Sequence, residues 1–153
     1  MSAPRADGGA LRAACGRGDL DGPDFHLRPP AGGYAWWYVD ALSDCGRYGL
    51  SIITFIGTVF SPWYHWSGRG NPANHVCMNV ATYGPGGRFT MTDRGAGALS
   101  TTPSQFTVGP SSVHWDGKSL HFDINEVSSL PLVSKMAGTV TVSTDAVTGV
   151  ELP

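Results

Sequence analysis

The sequence predicts an all-β fold, an antiparallel sandwich or small barrel that follows a disordered leader. Short alternating or β-branched runs recur along the chain, separated by Gly, Pro and Asp-Gly turns. No run of about ten residues carries the periodicity of an amphipathic helix. Gly (21) and Pro (11) are frequent while 41% of the residues are hydrophobic, which favours a turn-rich globular domain over a disordered chain.

Length and charge indicate one domain without a polyionic partner. The 153 residues match a single core, with a leader expected at residues 1–22 and a β domain at 23–153. The net charge of −2 provides no basic surface for nucleic acid. The longest apolar run, Leu50 to Phe60, is too short to span a membrane as a helix. Contact with a membrane surface stays open.

An aromatic hairpin from Tyr34 to Trp66 dominates the chain, because it holds ten of the sixteen aromatic residues. Its first arm alternates, so one face carries three rings and an acid, Tyr34, Trp36, Tyr38 and Asp40. A turn at residues 43–46 leads into a second arm, and we expect Tyr34 to Ala41 to pair antiparallel with Arg47 to Gly57. Before the hairpin, Pro29-Pro30 favours an extended segment lying across one end of the fold.

Further strands follow the hairpin. After the aromatic loop at residues 63–66, the pattern predicts strands at His75 to Tyr83, Arg88 to Arg94, Gln105 to Val108, Ser112 to Trp115, Lys118 to Asn125 and Gly138 to Ser143. Asp116-Gly117 is a strong hairpin signal between two of them. Many short strands joined in this way predict a lipocalin-like barrel or sandwich, and such barrels can hold one small ligand.

Asp40 is the strongest candidate for a catalytic residue. A carboxyl group among three rings would be desolvated, which favours its protonated form and suits a general acid. The alternative is that Asp40 ends the strand and caps the following turn.

Trp63, Tyr64 and Trp66 are candidate ligand-binding residues. Together with Tyr34, Trp36 and Tyr38 they offer ring faces for an apolar ligand, a developing cation or a membrane interface. The alternative is ordinary packing in a β core.

Histidines and cysteines give no metal or redox motif. His75 and Cys77 share a strand face, but two ligands are too few for a metal site. His121 and Asp123 alternate with apolar residues, which indicates a solvated outer face. Cys15, Cys45 and Cys77 are odd in number and lack a CxxC spacing, so free thiols are expected. No metal and no cofactor are predicted.

The strings AWWYVDALSD and FSPWYHW, followed by NPANHVCMNVATYGPGGRFTMTDRG, resemble the bacterial carotenoid 1,2-hydratases, also called hydroxyneurosporene synthases. The resemblance spans about Gly22 to Val142. It implies a lipocalin-like fold and a hydro-lyase that adds water to the terminal C1=C2 bond of an acyclic carotene such as neurosporene or lycopene. It also implies a cytoplasmic location, peripheral to the inner photosynthetic membrane.

The family has two lipocalin-like domains, and this chain is expected to be the first of them, with the second missing or on a separate chain. The family's acid lies in a Tyr-x-Asp element of the second half, after a His-x-Trp element. Tyr38-Val39-Asp40 has the former spacing but belongs to the first half. Two alternatives stay open: a lipocalin-like polyene or lipid carrier without catalysis, and a cofactor-free isomerase or cyclase.

Overall fold

The computed structural model describes residues 22–128 and 133–143, and within these ranges the chain is mostly β. One antiparallel sheet has four strands in the order β1-β2-β3-β4, and the other has five in the order β5-β6-β7-β8-β9. The first sheet contains β1 (Ala35–Leu42), β2 (Gly49–Ile56), β3 (Val76–Tyr83) and β4 (Phe89–Thr90). The second contains β5 (Leu99–Thr102), β6 (Gln105–Val108), β7 (Ser111–Trp115), β8 (Ser119–Ser128) and β9 (Ser134–Ser143). The all-β prediction is confirmed in its two-sheet form, and the predicted leader at residues 1–22 lies almost wholly outside the described residues.

The aromatic hairpin forms as predicted. β1 and β2 pair antiparallel along their whole length, with Tyr38 opposite Ile53. The turn between them is closed by Ser43, whose Oγ accepts a hydrogen bond of 3.0 Å from the backbone N–H of Tyr48. Gly46 has a φ of 66°, which an L residue adopts only at a cost. Local turn chemistry therefore sets the register of this hairpin.

The core lies between the two sheets and follows the strand alternation. Trp37 on β1 faces inward and packs against Phe106 on β6, with ring centroids 5.7 Å apart. Phe25, from the extended segment before β1, is 1% exposed and contacts both of these rings. The Trp37 indole N–H donates to the carbonyl of Pro23 at 2.8 Å. Phe25 thus places an aromatic ring between the sheets, whereas the sequence predicted only an extended segment lying across one end of the fold.

Three elements differ from the sequence-based predictions. The strand predicted at Arg88 to Arg94 is reduced to β4 and one bridge between Val76 and Arg94, because Thr92 leaves the ladder and donates to the carbonyl of Val127. β5 was not predicted, since its sequence LSTT has a single apolar residue and pairing with β6 creates it. The predicted loop at residues 63–66 is wrong, because Ser61 caps a helix, α1 (Pro62–Trp66), with proline in its first turn.

The thiols and polar outer positions agree with the predictions where they are described. Cys45 is exposed and Cys77 is buried, and both are free, while Cys15 lies outside the described residues. His121 and Asp123 are exposed on β8. Within residues 22–128 and 133–143 no group of three or more His, Cys, Asp or Glu side chains is placed to hold a metal.

Candidate functional site

Two of the three predicted rings, Trp36 and Tyr38, lie on β1 at the outer face of the four-stranded sheet, and Tyr34 directly precedes the strand. Tyr34 contacts Trp36 at 5.1 Å between ring centroids, and Trp36 meets Phe55 edge-on at 5.9 Å. Tyr38, further along the strand, is 44% exposed. The opposite side of the strand, with Trp37, supplies the core.

Asp40 is exposed on this outer face. Its carboxylate accepts a hydrogen bond from the hydroxyl of Ser51, the residue opposite it on β2. It does not cap the turn, a role taken by the Ser43 hydroxyl. Among the described residues, the three rings therefore do not desolvate Asp40. Asp40 does not cap the following turn either.

The aromatic residues of α1 have two different environments. Trp63 and Trp66 are 53% and 73% exposed and contact each other at 6.1 Å between ring centroids. Tyr64 is buried, and its hydroxyl donates to the carbonyl of Gly33 at 2.5 Å. Tyr64 thus fastens α1 to the body of the domain, while the two tryptophans face outward.

A cleft of about 460 Å³ opens beside α1, at the edge of the sheet where the chain leaves β4. Its wall includes one predicted site residue, Trp63. The other lining residues are Asn74, His75, Phe89, Met91, Thr92, Asp93, Arg94, Gly95 and Val127. β1 forms the opposite edge of the same sheet, so Tyr34, Trp36, Tyr38 and Asp40 do not line this cleft.

A hydrogen-bonded cluster of histidine, aspartate and serine stands in the wall of the cleft. His75 Nδ1 lies 2.9 Å from Asp93 Oδ2, and the buried hydroxyl of Ser61 donates to the same oxygen. The side chains of His75 and Asp93 are 14% and 15% exposed. The Tyr64 ring packs against the imidazole at 5.1 Å between centroids. Asp93 Oδ1 is buried and has no hydrogen-bond partner among the residues that the structure describes.

Strand register brings this cluster together. The bridge between Val76 and Arg94 continues the ladder of β3 with β4, so Asp93 falls beside Cys77 and His75 on the outer face. Arg94 points inward, where its Nη2 donates to Glu126 of β8 at 2.8 Å. Glu126 is fully buried and also accepts a hydrogen bond of 2.6 Å from the hydroxyl of Ser111. Both residues line the cleft, but the Asp93 side chain bonds to His75 there, whereas the Arg94 guanidinium bonds to the buried Glu126.

Sequence reasoning missed Asp93 and gave His75 no role. A signal was present, because the predicted strands at His75 to Tyr83 and Arg88 to Arg94 are joined by a short glycine turn. In such a hairpin the start of the first strand meets the end of the second. His75 and Asp93 are therefore expected neighbours once the hairpin is accepted.

A second histidine and aspartate pair provides a contrast in an exposed setting. His121 Nε2 lies 2.7 Å from Asp116 Oδ2 on the β7–β8 hairpin, with both side chains more than 40% exposed. The hydrogen bond with His121 and the backbone N–H groups of Ser119 and Lys118 lower the pKa of Asp116 to about 2. This pair lines no part of the cleft.

The described residues thus form a two-sheet β domain with a partly aromatic cleft and a His–Asp pair in the wall of that cleft. Comparison with known proteins gives the family. Residues 52–153 match the family model described as "Carotenoid hydratase CrtC", which is more than half of the chain. The chain therefore belongs to the carotenoid hydratase family.

Several curated relatives carry the name acyclic carotenoid 1,2-hydratase. The chain is 58% identical over 101 residues to the protein of Cereibacter sphaeroides, covering 66% of this chain and 36% of that one. It is 46% identical over 145 residues to the protein of Thiocapsa roseopersicina, covering 92% and 36%. It is 48% identical over 126 residues to the protein of Rubrivivax gelatinosus, covering 78% and 31%. The chain thus spans about a third of the length of these relatives, and no solved structure matches it.

Proposed function

We propose that this chain forms part of an acyclic carotenoid 1,2-hydratase, which adds water to the terminal C1=C2 bond of a carotene such as neurosporene or lycopene. Membership of the family carries the proposal, since the family model matches residues 52–153. The cleft supports it, because Trp63, Phe89 and Val127 give its wall an apolar character that suits the end of a polyene. The product would be a tertiary alcohol.

The reaction has three chemical requirements. A proton must reach C2, the positive charge that develops at C1 must be stabilised, and a water molecule must be held next to C1. A tryptophan face such as that of Trp63 stabilises a cation, and the partly buried His75 and Asp93 provide groups that exchange protons. These features occur together in the wall of one cleft.

Two groups of this chain are candidates for the proton donor, in addition to the acid that the family resemblance places in the second half of a complete hydratase. Asp40 is the proton donor predicted from the sequence. It could be desolvated only if another part of a complete hydratase covered the exposed outer face of β1. The side chains of His75 and Asp93 are already mostly buried by other residues of this chain. Asp40 lies in line with Ala81 across the sheet. Ala81 is six residues from His75, which corresponds to about 20 Å along a strand. The two candidates therefore cannot act on the same double bond.

The predicted ligand-binding residues also fall into two groups, one at the cleft and one on the outer face of the sheet. We propose that Trp63 contacts the polyene directly and that Tyr64 contributes by holding α1 in place. Trp66, Tyr34 and the β1 rings Trp36 and Tyr38 would contact substrate only beyond the cleft, on the outer surface of the sheet. Quenching of tryptophan emission by lycopene, lost in Trp63→Ala and retained in Trp36→Ala, tests this division.

We propose peripheral contact with the cytoplasmic side of the inner membrane, where an acyclic carotene is dissolved. Phe60, Trp63 and Trp66 are exposed close to one another in sequence, as membrane-interface aromatics are. None of the helices in the described part of the chain has the length and apolar character needed to cross a bilayer. Flotation with phospholipid vesicles, reduced in a Phe60→Ser/Trp66→Ser variant, tests the contact.

The hydratase relatives are much longer than the segment that this chain matches, and the additional length is enough for another domain. About two thirds of each hydratase relative has no counterpart in this chain. We propose that a second lipocalin-like domain of a complete hydratase packs on this one. A carrier that binds a polyene without altering it is the second candidate, and the exposed rings of Trp63 and Trp66 favour it, because ring faces bind a polyene without a proton donor.

The decisive experiment uses the 153-residue chain alone and as a replacement for the matching segment of the Thiocapsa roseopersicina hydratase. Each protein is incubated with lycopene and neurosporene in detergent, and the products are analysed by mass spectrometry. An added water supports the hydratase. Quenching without any product supports the carrier, and an isomer of unchanged mass indicates an isomerase or cyclase. Binding of neither carotene by the folded proteins would exclude the hydratase and a carrier of these two carotenes.

A further inference from the structure

The imidazole of His75 is held in the wall of the cleft by contacts to one of its two nitrogens and to one face. Nδ1 lies 2.9 Å from Asp93 Oδ2, and the Ser61 hydroxyl donates to the same oxygen. The Tyr64 ring packs against the imidazole at 5.1 Å between centroids. A ring tied at Nδ1 and packed on one side has little freedom to turn, so these contacts fix the position of Nε2.

The other nitrogen, Nε2 of His75, has no hydrogen-bond partner among residues 22–128 and 133–143. His75 lines the cleft and is partly exposed there. Within the same ranges, Asp93 Oδ1 is the one buried side-chain nitrogen or oxygen that lacks a partner, so Nε2 is not sealed off from solvent. The cleft therefore presents an oriented hydrogen-bonding atom that a ligand can reach.

The rest of the wall favours a neutral, mostly apolar ligand. Trp63, Phe89 and Val127 line the cleft and are each about half exposed, so they offer apolar surface to a ligand. The Arg94 guanidinium, in the same wall, is already bonded to Glu126, so an anionic ligand would meet a cation that is paired. The volume of about 460 Å³ is typical of small-ligand sites. A ligand of this cleft is thus apolar with one polar group.

A hydrocarbon end and an alcohol end of a carotene make different contacts with such a wall. A hydrocarbon that fills the cleft removes water from Nε2 of His75 and gives no hydrogen bond in return, which is costly. The tertiary alcohol formed by hydration has the same carbon skeleton with one hydroxyl at C1. A hydroxyl both donates and accepts, so it pairs with Nε2 in either charge state of the ring. Sites that hydrogen-bond a ligand hydroxyl reject the analogue that lacks it.

We propose that the cleft binds the hydrated end of the carotene, with the tertiary hydroxyl on His75 Nε2 and the adjoining carbon chain against Trp63 and Phe89. The inference rests on the proposed function, because its ligand is the product of that reaction. His75 has a binding role here and Asp93 positions it, so the pair donates no proton to the substrate. The proton donor is the acid that the family resemblance places in the second half of a complete hydratase.

Binding of two ligands to the 153-residue chain tests the proposal without any catalysis. Lycopene and its singly hydrated alcohol are titrated separately in the same detergent, and quenching of tryptophan emission gives the Kd of each. We expect the alcohol to bind about tenfold more tightly, because it gains one hydrogen bond and leaves no polar atom unpaired. Equal affinities, or tighter binding of lycopene, would overturn the proposal.

His75→Leu separates a role in binding from a role in folding. Leucine makes this part of the wall apolar, so the two dissociation constants should become equal while lycopene binds at least as tightly as it does to the parent protein. A structural role alone would weaken both ligands and leave their ratio unchanged, which would overturn the proposal. His121→Leu, in the exposed pair with Asp116, is the matched control and should keep the ratio of the parent.

Asp93 variants provide a second test that does not depend on whether His75→Leu folds. Asp93→Ala releases Nδ1 of His75 and should lower the preference for the alcohol to about threefold, whereas Asp93→Asn, whose amide oxygen still accepts from Nδ1, should keep it. A parent-like preference in Asp93→Ala would contradict the positioning role.

Hydration is measured independently, in the chain alone and in the Thiocapsa roseopersicina replacement. Hydration without a preference for the alcohol overturns the alcohol site and leaves the proposed function standing. A preference for the alcohol without hydration supports the site and counts against the proposed function.

Discussion

The four-stranded sheet carries two carboxylates on the same outer face, and they have opposite surroundings. Asp40 on β1 is exposed and accepts one hydrogen bond from Ser51. Asp93, beyond β4, is mostly buried and is bonded to His75 and Ser61. Strand alternation assigns both to the same face and gives no reason for the difference. The environment of a carboxylate on this sheet thus depends on what covers it.

The segment that connects β2 to β3, residues 57–75, covers one end of this outer face, and we call it the cover. Phe60 packs edge-on against Phe55 at 5.5 Å between centroids, Ser61 reaches Asp93, and Tyr64 reaches the carbonyl of Gly33. These contacts lie at the end of the sheet where β2 finishes and β3 starts. Asp40 lies near the opposite end, beside the Ser43 turn, where its carboxylate accepts a hydrogen bond from Ser51. A single connection therefore converts one end of an exposed face into a site.

The largest stability effect is expected where a carboxylate is fully buried. Glu126→Ala leaves Arg94 and Ser111 without their partner, and we expect unfolding free energy to fall by about 3–5 kcal/mol. Urea denaturation followed by tryptophan fluorescence measures it. Asp123→Ala, which removes an exposed carboxylate on β8, is the control and should leave the midpoint almost unchanged. Equal losses in the two variants would contradict the distinction between buried and exposed carboxylates.

The second prediction separates the two outer-face acids by ligand binding. Asp93→Ala should lower the preference for the tertiary alcohol over lycopene from about tenfold to about threefold, whereas Asp40→Ala should leave it at the parent value, since the Asp40 carboxylate lies far from the cleft. Both substitutions remove a carboxylate from the same face of the sheet. Dissociation constants are measured by tryptophan quenching under identical detergent conditions. Loss of the preference confined to Asp40→Ala would place the bound hydroxyl at the outer face of β1.

A smaller effect should follow from loosening the cover itself. Tyr64→Phe deletes the hydroxyl that donates to Gly33 and should cost about 1 kcal/mol of unfolding free energy. Tyr38→Phe, on the exposed part of β1, is the matched control and should be neutral. Differential scanning fluorimetry compares the melting temperatures of the two variants. A neutral Tyr64→Phe would mean that the cover is held by apolar packing alone.

The smallest change concerns the two described thiols, which sit at opposite ends of the same sheet. Hydrogen bonds from Ser43 and from the backbone of Arg47 lower the pKa of Cys45, whereas burial raises the pKa of Cys77 to about 12. At mildly alkaline pH, Cys45 should react with iodoacetamide and Cys77 should not. Peptide mapping of the native and the urea-unfolded protein measures both. Modification of native Cys77 at the rate of Cys45 would show that the cover opens readily.

The sequence predicted elements whose signals are local. The β1–β2 hairpin follows from alternation and a Ser-Asp-Cys-Gly turn, and the β7–β8 hairpin from Asp116-Gly117, whose aspartate accepts the backbone N–H of Lys118 and Ser119. The sequence predicts a loop where α1 forms, because five residues are too few for a periodic pattern, although Ser61-Pro62 is a helix start. The aromatic strings also carried the family resemblance, which the family model confirms.

What the sequence determined by itself is therefore the face on which each strand residue lies, the turns that join the strands, and the family. The tertiary structure alone decided which outer-face residues are buried, because burial there comes from a connection that folds back across the sheet. His75, Asp93 and Ser61 are separated by up to 32 positions, and no local pattern encodes their meeting. Side-chain alternation is a property of one strand, whereas desolvation of a charge needs contacts from several segments at once.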